Sequence, residues 1–476
     1  MAKNVARGSL LGMAAQGWHM VTAFLLYAYL ARQLGPVLFG EWRVVLSLLA
    51  WFEVFVTSAV VRVATKAISE APDDAPRLAR AAWVGQAVVA GTVFVAVEIA
   101  AGPVALVLAE PALAPLIRIA ALDIPLYGAF VAASATVLGL QRYERQAVAW
   151  LVYATAKAVL IAALVVVGFS LAGALVGNAL SSLVGLAAMF VATRSDRSRP
   201  ASLWPVAASM LVASVPFLAL SLIEGVGQHV DLWLVSGLVA DRAPVGLYAA
   251  ATVLAEVPVF LFLGLNRVIF PSVARARAEG DPERADAYAT QAVRTAVIVT
   301  VMAVAFVAAS GREAIRLVYS SAYVGAFVPL VLLMAAGLGR TVQATCTEVL
   351  MAEGRRRAAL GILASTVVLQ VALVAQLIAR FGMTGAAAGT AVSALVAALA
   401  CGVALRRSVG WRPLATLARS AVAAAAVGAV LLYAQPSAAW LLAALPVAVA
   451  AYMAALAGLR EFSSEDVASM RAAIGR

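Results

Sequence analysis

Residues 169–184 read FSLAGALVGNALSSLV, and residues 381–396 read FGMTGAAAGTAVSALV. At an offset of 212, Phe169, Gly173, Ala174, Gly177, Ala179, Ser181, Leu183 and Val184 recur as Phe381, Gly385, Ala386, Gly389, Ala391, Ser393, Leu395 and Val396. The same offset carries Val137, Leu138, Arg145 and Ala147 onto Val349, Leu350, Arg357 and Ala359. Both copies lie in long apolar sequence. A repeat inside a membrane chain points to a transporter whose two like halves rock about a site between them. Gly173/Gly177 and Gly385/Gly389 are small-xxx-small faces, which predict close helix packing rather than ligand contact.

Outward from the repeat, the chain stays apolar. It is 64% hydrophobic and 12% charged, whereas a soluble domain carries about 25% charged residues. Fourteen apolar runs long enough to span a bilayer lie between residues 9 and 459. They are continuous rather than alternating, so they predict helices, whose backbone groups are satisfied internally. The fold expected is an all-α integral membrane protein of about 14 transmembrane helices. It comprises two pseudo-repeated six-helix bundles, residues 1–200 and 201–405, then two additional helices in 406–459 and a cytoplasmic tail, 460–476. Six spans per half is even, so both halves insert in the same sense and their pseudo-twofold axis runs along the membrane normal.

The net charge of +11 is distributed in a way that argues against nucleic acid. With the N-terminus inside, 24 Lys and Arg fall on cytoplasmic segments. Only Arg32, Arg43, Arg242, Arg312, Arg316 and Arg380 fall on the other side. This positive-inside bias places both termini in the cytoplasm. The two cysteines, Cys346 and Cys401, fall in predicted helices and form no disulfide framework or metal-ligand spacing. The first span is one of many and lacks a cleavage site, so it does not read as a removable signal peptide. The loops are short and leave no room for a soluble catalytic domain.

Charges inside the spans are costly, about 2.5–3.5 kcal/mol each at the bilayer centre, and face a cavity or one another. The spans hold Glu53, Arg62, Glu98, Arg118, Asp123 and Lys157 in the first half. They hold Glu224, Asp231, Glu256, Arg267, Arg340 and Glu348 in the second, with His19 and His229. Basic groups in a low-dielectric cavity suit an anionic phosphate. Lys157 and Arg340, nearest mid-span, are the first candidates for substrate contact, followed by Arg118 and Arg267. Glu224, Asp231 and Glu256 are candidates for coupling to a proton or sodium ion, because burial shifts carboxylates towards neutral pH. The competing reading of each charge is a structural ion pair or a snorkelling side chain. Pro125, Pro216 and Pro258 mark expected hinges, with span 7 (206–236) the expected moving part.

The outer turn LGPVLFGEW, residues 34–42, has a counterpart in ADRAPVGLY, residues 240–248, each with a Gly two residues before an aromatic. NRVIFPSVARARAEGD, REAIRLVYSSAYVGA and EVLMAEGRRR follow in order. In order and spacing these stretches resemble the polysaccharide transporter family of the multidrug/oligosaccharidyl-lipid/polysaccharide exporter superfamily. That resemblance adds weight to Asp231, because an acid is usual there. It implies a flippase for lipid-linked oligosaccharides in the bacterial cytoplasmic membrane, driven by a cation gradient. It also implies no cofactor, and membrane lipid and the polysaccharide polymerase and export machinery as partners. The alternative within the superfamily is a drug/cation antiporter. An integral-membrane enzyme is disfavoured, because catalysis needs positioned groups at an accessible face and the outer loops are short.

Overall fold

The computed structural model describes residues 2–58, 60–193, 203–410, 412–434 and 440–462. Side chains are described for these residues except 2–10, 192, 193, 216, 259–272, 407, 408 and 442. The described residues are helical and contain no strand. In order the helices are α1 (Ala2–Ser58), α2 (Val60–Glu70), α3 (Ala75–Val107), α4 (Leu113–Ala121), α5 (Asp123–Gly139), α6 (Tyr143–Leu164), α7 (Ser170–Thr193) and α8 (Trp204–Leu238). They continue as α9 (Ala243–Ala278), α10 (Pro282–Val318), α11 (Phe327–Ala352), α12 (Arg356–Ala404), α13 (Arg406–Val409), α14 (Arg412–Ala434) and α15 (Leu441–Gly458).

Among the described residues, nine helical stretches are long and apolar enough to cross a membrane, and three shorter apolar helices accompany them. Large apolar side chains such as Ile99, Val107, Val191 and Val212 lie exposed on the helices, as a lipid-facing surface requires. Three of the long stretches contain a break. α1 would be about 85 Å long if straight, against a hydrocarbon core of about 30 Å. It is interrupted at Gly35, whose φ of 70° lies in the left-handed region. α6 and α7 are joined by a π turn, Val165–Phe169, and α12 breaks at Gly382.

The two later breaks are copies of one another. Ser170 has φ 47° and ψ −132°, and Gly382 has φ 55° and ψ −137°. These residues are equivalent under the 212-residue offset. The repeated glycines behave alike as well. A Cβ on Gly177 would stand 2.9 Å from the Ile161 backbone, and one on Gly389 would stand 2.8 Å from Val374 N. A Cβ on Gly385 would collide with the Leu377 carbonyl. The small-residue faces therefore let each hairpin close backbone to backbone. The prolines expected as hinges behave differently. α8 runs unbroken through position 216 and α9 through position 258, while Pro125 lies in the first turn of α5, where a missing N–H leaves no bond unmade.

By packing, the chain falls into two compact units, Met1–Ala249 and Ala250–Arg476. In the first, α1 packs on α5, α6 and α8, α7 packs on α5 and α6, and α3 packs on α5 and α8. Gly225 gives α8 its seat there: a Cβ at that position would stand 2.9 Å from the Trp51 indole. Trp233 Nε1 donates to Ser47 Oγ at 2.9 Å beside the same ring. The paired outer-turn glycines meet in this unit. A Cβ on Gly40 would approach Gly246 N to 2.7 Å, and one on Gly246 would collide with the Pro36 carbonyl. In the second unit α11 packs on α12, and α10 packs on α11, α14 and α15. Cys346 and Cys401, far apart in sequence, share one buried apolar cluster there.

Candidate functional site

Three neighbouring helices of the first unit each carry polar residues four apart, so that both members share one helix face. These are Asp123 and Tyr127 on α5, Tyr153 and Lys157 on α6, and Asn178 and Ser182 on α7. The second limb of α1 adds Glu53, and its first limb adds His19. Asp123 opens α5, where unpaired N–H groups and the helix dipole favour an anion.

These residues meet. Asn178 Nδ2 donates to Asp123 Oδ2 at 2.5 Å. The Glu53 and Asp123 carboxyl groups lie within hydrogen-bonding reach of each other. Lys157 faces both acids electrostatically, but its ammonium donates to Tyr153 Oη at 3.4 Å and lies 5.6 Å from that ring's centroid. The His19 ring stacks on Tyr153 and meets Trp150 edge-on, closing the cluster on the α1 side. Asp123, Asn178 and Ser182 are each at most 2% exposed. Phe130, Tyr127 and Tyr153 form an aromatic wall around them. The Ser182 hydroxyl lies within hydrogen-bonding reach of Asp123 and Tyr153, while Asp123 Oδ1 and Asn178 Oδ1 lack a well-aligned donor. Buried polar atoms are nearly always paired, so incompletely satisfied oxygens gathered at one point make this cluster the candidate site.

Of the residues singled out from sequence, the structure brings Lys157 into this cluster. Arg118, on α4, pairs instead with Glu98 of α3 at 3.8 Å, and its side chain is 55% exposed. Arg340 is half-buried on α11 and already holds a partner. The Arg267 side chain lies outside the described residues. Asp231 is buried on α8, where it accepts from Tyr248 Oη and from Leu232 N, each at 2.9 Å. The resemblance thus identified two motif residues, Asp231 and Tyr248, that bond to each other. Glu224 is exposed on α8, two turns from Asp231, and Glu256 is half-buried on α9. Among the described residues no group of three His, Cys, Asp or Glu is placed to hold a metal ion.

Asn178, Ser182, Tyr127 and Tyr153 were not anticipated from the sequence. One signal could have found part of this set. At the 212-residue offset Asp123, Lys157, Asn178 and Ser182 correspond to Ala335, Leu369, Thr390 and Ala394. The repeat keeps Gly173 and Gly177 as Gly385 and Gly389, but replaces Asp123, Lys157 and Ser182 with apolar residues and Asn178 with threonine. Packing needs both copies; the charged cluster is written into one.

The family description "Polysaccharide biosynthesis protein" matches residues 5–277. No curated protein sequence matches the chain. Among solved structures, an inward closed conformation of the lipid II flippase MurJ superposes with a TM-score of 0.76 at 11% identity, covering 94% of this chain and 98% of that one. An inward-facing multidrug resistance MATE family transporter of the MOP superfamily gives 0.70 at 14% identity, covering 86% and 98%. The eukaryotic MATE transporter AtDTX14 gives 0.62 at 14% identity, covering 88% and 100%. At these identities the likeness is one of fold. Taken with the apolar helices and the family match over more than half its length, the chain is a multi-pass membrane protein that belongs to the polysaccharide biosynthesis protein family.

Proposed function

We propose that this protein is a flippase that moves a lipid-linked oligosaccharide, a polyprenyl-pyrophosphate sugar unit, across the cytoplasmic membrane by alternating access. Fourteen crossings carry both termini on the cytoplasmic side, and a cation gradient drives the cycle. The observation that carries this reading is Lys157. An ammonium sits mid-helix in an apolar unit, beside carboxyl groups to which it is not hydrogen-bonded. Such a group is costly to place and is retained where an anion or ion must be handled. A pyrophosphate headgroup is the anion that the family supplies, and Lys157 is its proposed contact. Arg340 is a second basic group proposed for the same headgroup.

Deletion of the gene tests the reading. Lipid-linked sugars are quantified by mass spectrometry, with re-expression as control. Accumulation of a complete lipid-linked repeat unit, with loss of surface polysaccharide, is the expected result. Unchanged lipid-linked sugars in a strain without a redundant transporter would instead favour a drug/cation antiporter. One observation leans that way: the cluster around Lys157 holds more acid than base.

A further inference from the structure

We propose that the rim formed by the two ends of α12 and the start of α14 binds the phosphate headgroup of an anionic membrane lipid. The proposal rests on the transport reading above only for the leaflet that supplies this lipid, since the rim lies on the face assigned there to the cytoplasm.

From Gly354 to Arg460 the chain contains no Asp or Glu, yet it carries nine arginines. Membrane topology does not ask for such a run, because acids contribute little to the positive-inside bias. Elsewhere on the same face basic residues have acids beside them: Lys66 has Glu70, Arg77 has Asp74 and Arg284 has Glu279. The two acids that bound the run are already engaged. Glu353 pairs with Arg277 and Arg355, and Glu461 pairs with Arg294 and Arg419.

The fold gathers this charge. α12 breaks at Gly382 and returns on itself, so its first and last turns meet. Arg355 ties them by donating from Nη1 to the Ala404 carbonyl at 2.9 Å. Ala359, Leu405 and Val409 share one buried apolar cluster beside that tie. α13 packs on α10 and α12, and Gly410, with φ 63°, ends it ahead of α14. Exposed Arg356 and Arg357 at one end of α12 therefore stand near exposed Arg406 just past the other, with exposed Arg412 opening α14. Among the described residues these four guanidiniums have no hydrogen-bond or ion-pair partner. Like charges gathered on one rim repel, and an anion placed among them relieves the repulsion. Phosphate oxygens accept paired N–H donors from a guanidinium. The neighbouring surface selects a lipid over a free phosphate. Leu360, Leu399, Val403 and Leu414 lie exposed within about two turns of these arginines, where acyl chains can cover them. A bound lipid would then hold the α12 ends and α14 together at the membrane surface.

The test uses the purified full-length chain in detergent, where sidedness plays no part, with no lipid-linked sugar present. Native mass spectrometry titrates dioleoyl phosphatidylglycerol against dioleoyl phosphatidylcholine. Preferential binding of phosphatidylglycerol is expected. Each guanidinium near the headgroup is worth about fivefold in affinity. Arg356→Gln, Arg357→Gln and Arg406→Gln combined should therefore weaken binding about a hundredfold. Lysine at the same three positions keeps the charge and should stay within about tenfold of wild type. Arg77→Gln, Arg142→Gln and Arg145→Gln combined remove equal charge from the first unit and should change binding less than about fivefold. The lysine protein keeps the test decisive where the glutamine protein fails to fold. The proposal is overturned by equal affinity for the two lipids, by equal loss in the two glutamine proteins, by loss of the preference in the lysine protein, or by displacement of the lipid with millimolar inorganic phosphate, which would mark a free-phosphate site. Because no sugar substrate enters the experiment, that failure would leave the gene-deletion result standing.

Discussion

The Glu461→Gln substitution isolates what holds the two helices outside the repeat. Glu461 follows α15, and its side chain is 1% exposed. It accepts from Arg294 Nε at 3.1 Å and Nη2 at 3.0 Å, from Arg419 Nη1 at 2.8 Å and from Thr416 Oγ1 at 2.5 Å. Arg294 Nη2 also donates to the Glu461 carbonyl at 2.7 Å. One carboxylate thus ties the end of α15 to α10 and α14. Glutamine keeps the shape and removes the charge. Breaking a buried pair costs about 3–5 kcal/mol. The retained backbone bond and the 43% exposure of Arg419 reduce that, giving about 2–3 kcal/mol. In amide hydrogen exchange, where opening of α15 from α10 is the limiting event, this is a roughly 30- to 150-fold acceleration across residues 441–458. The measurement is exchange mass spectrometry in nanodiscs at neutral pH. Burial pushes the Glu461 carboxyl up, but Thr416, Arg419 and Arg294 hold it below its ordinary value. Its contribution is therefore complete above the unfolded carboxylate value of about 4.3 and is lost as pH falls through the lower folded value. Protection of wild-type α15 should fall only in that acid window, and Glu461→Gln should show no such step. Exchange in the variant within twofold of wild type would refute the reasoning.

Three further outcomes are expected. Lys157→Ala should reduce complementation of a deletion strain by tenfold or more while membrane protein levels stay within twofold, read by immunoblot and surface-polysaccharide assay. Gly246→Ala should lower thermal stability by about 1–3 kcal/mol through collision with the Pro36 carbonyl, whereas Gly361→Ala, which meets nothing within 4 Å, should not; differential scanning fluorimetry compares them. Tyr248→Phe removes one of the two 2.9 Å donors to the buried Asp231 and should cost about 1.5–3 kcal/mol in the same measurement.

The helical membrane class was legible in hydropathy, and the internal repeat was legible letter by letter. The repeated glycines Gly177, Gly385 and Gly389 serve close approach, and a sequence reader can see it. The breaks were less legible. Proline drew attention at 216 and 258, yet the helices break at Gly35, at Ser170 and at Gly382, where the backbone takes a positive φ that ends the helical path at once. The charged site was half legible. Glu53, Asp123 and Lys157 stood out as intramembrane charges, but which of a dozen such groups meet depends on rotation about each helix. Asn178 and Ser182 carry no charge and looked like part of the packing motif. Only their absence from the second copy distinguished them.

The order of the cluster along the chain has a consequence for biogenesis. Synthesis proceeds from the N-terminus, so Glu53 and Asp123 enter the bilayer before Lys157. A lysine helix integrates against a penalty of about 2.5–3.5 kcal/mol, and by then two counter-charges await it. α6 should consequently insert less efficiently in a nascent chain truncated to exclude the earlier helices than in one that includes them. The insertion machinery would meet the acids as a scaffold for the base, and the sequence of events at the ribosome becomes part of how the site is built.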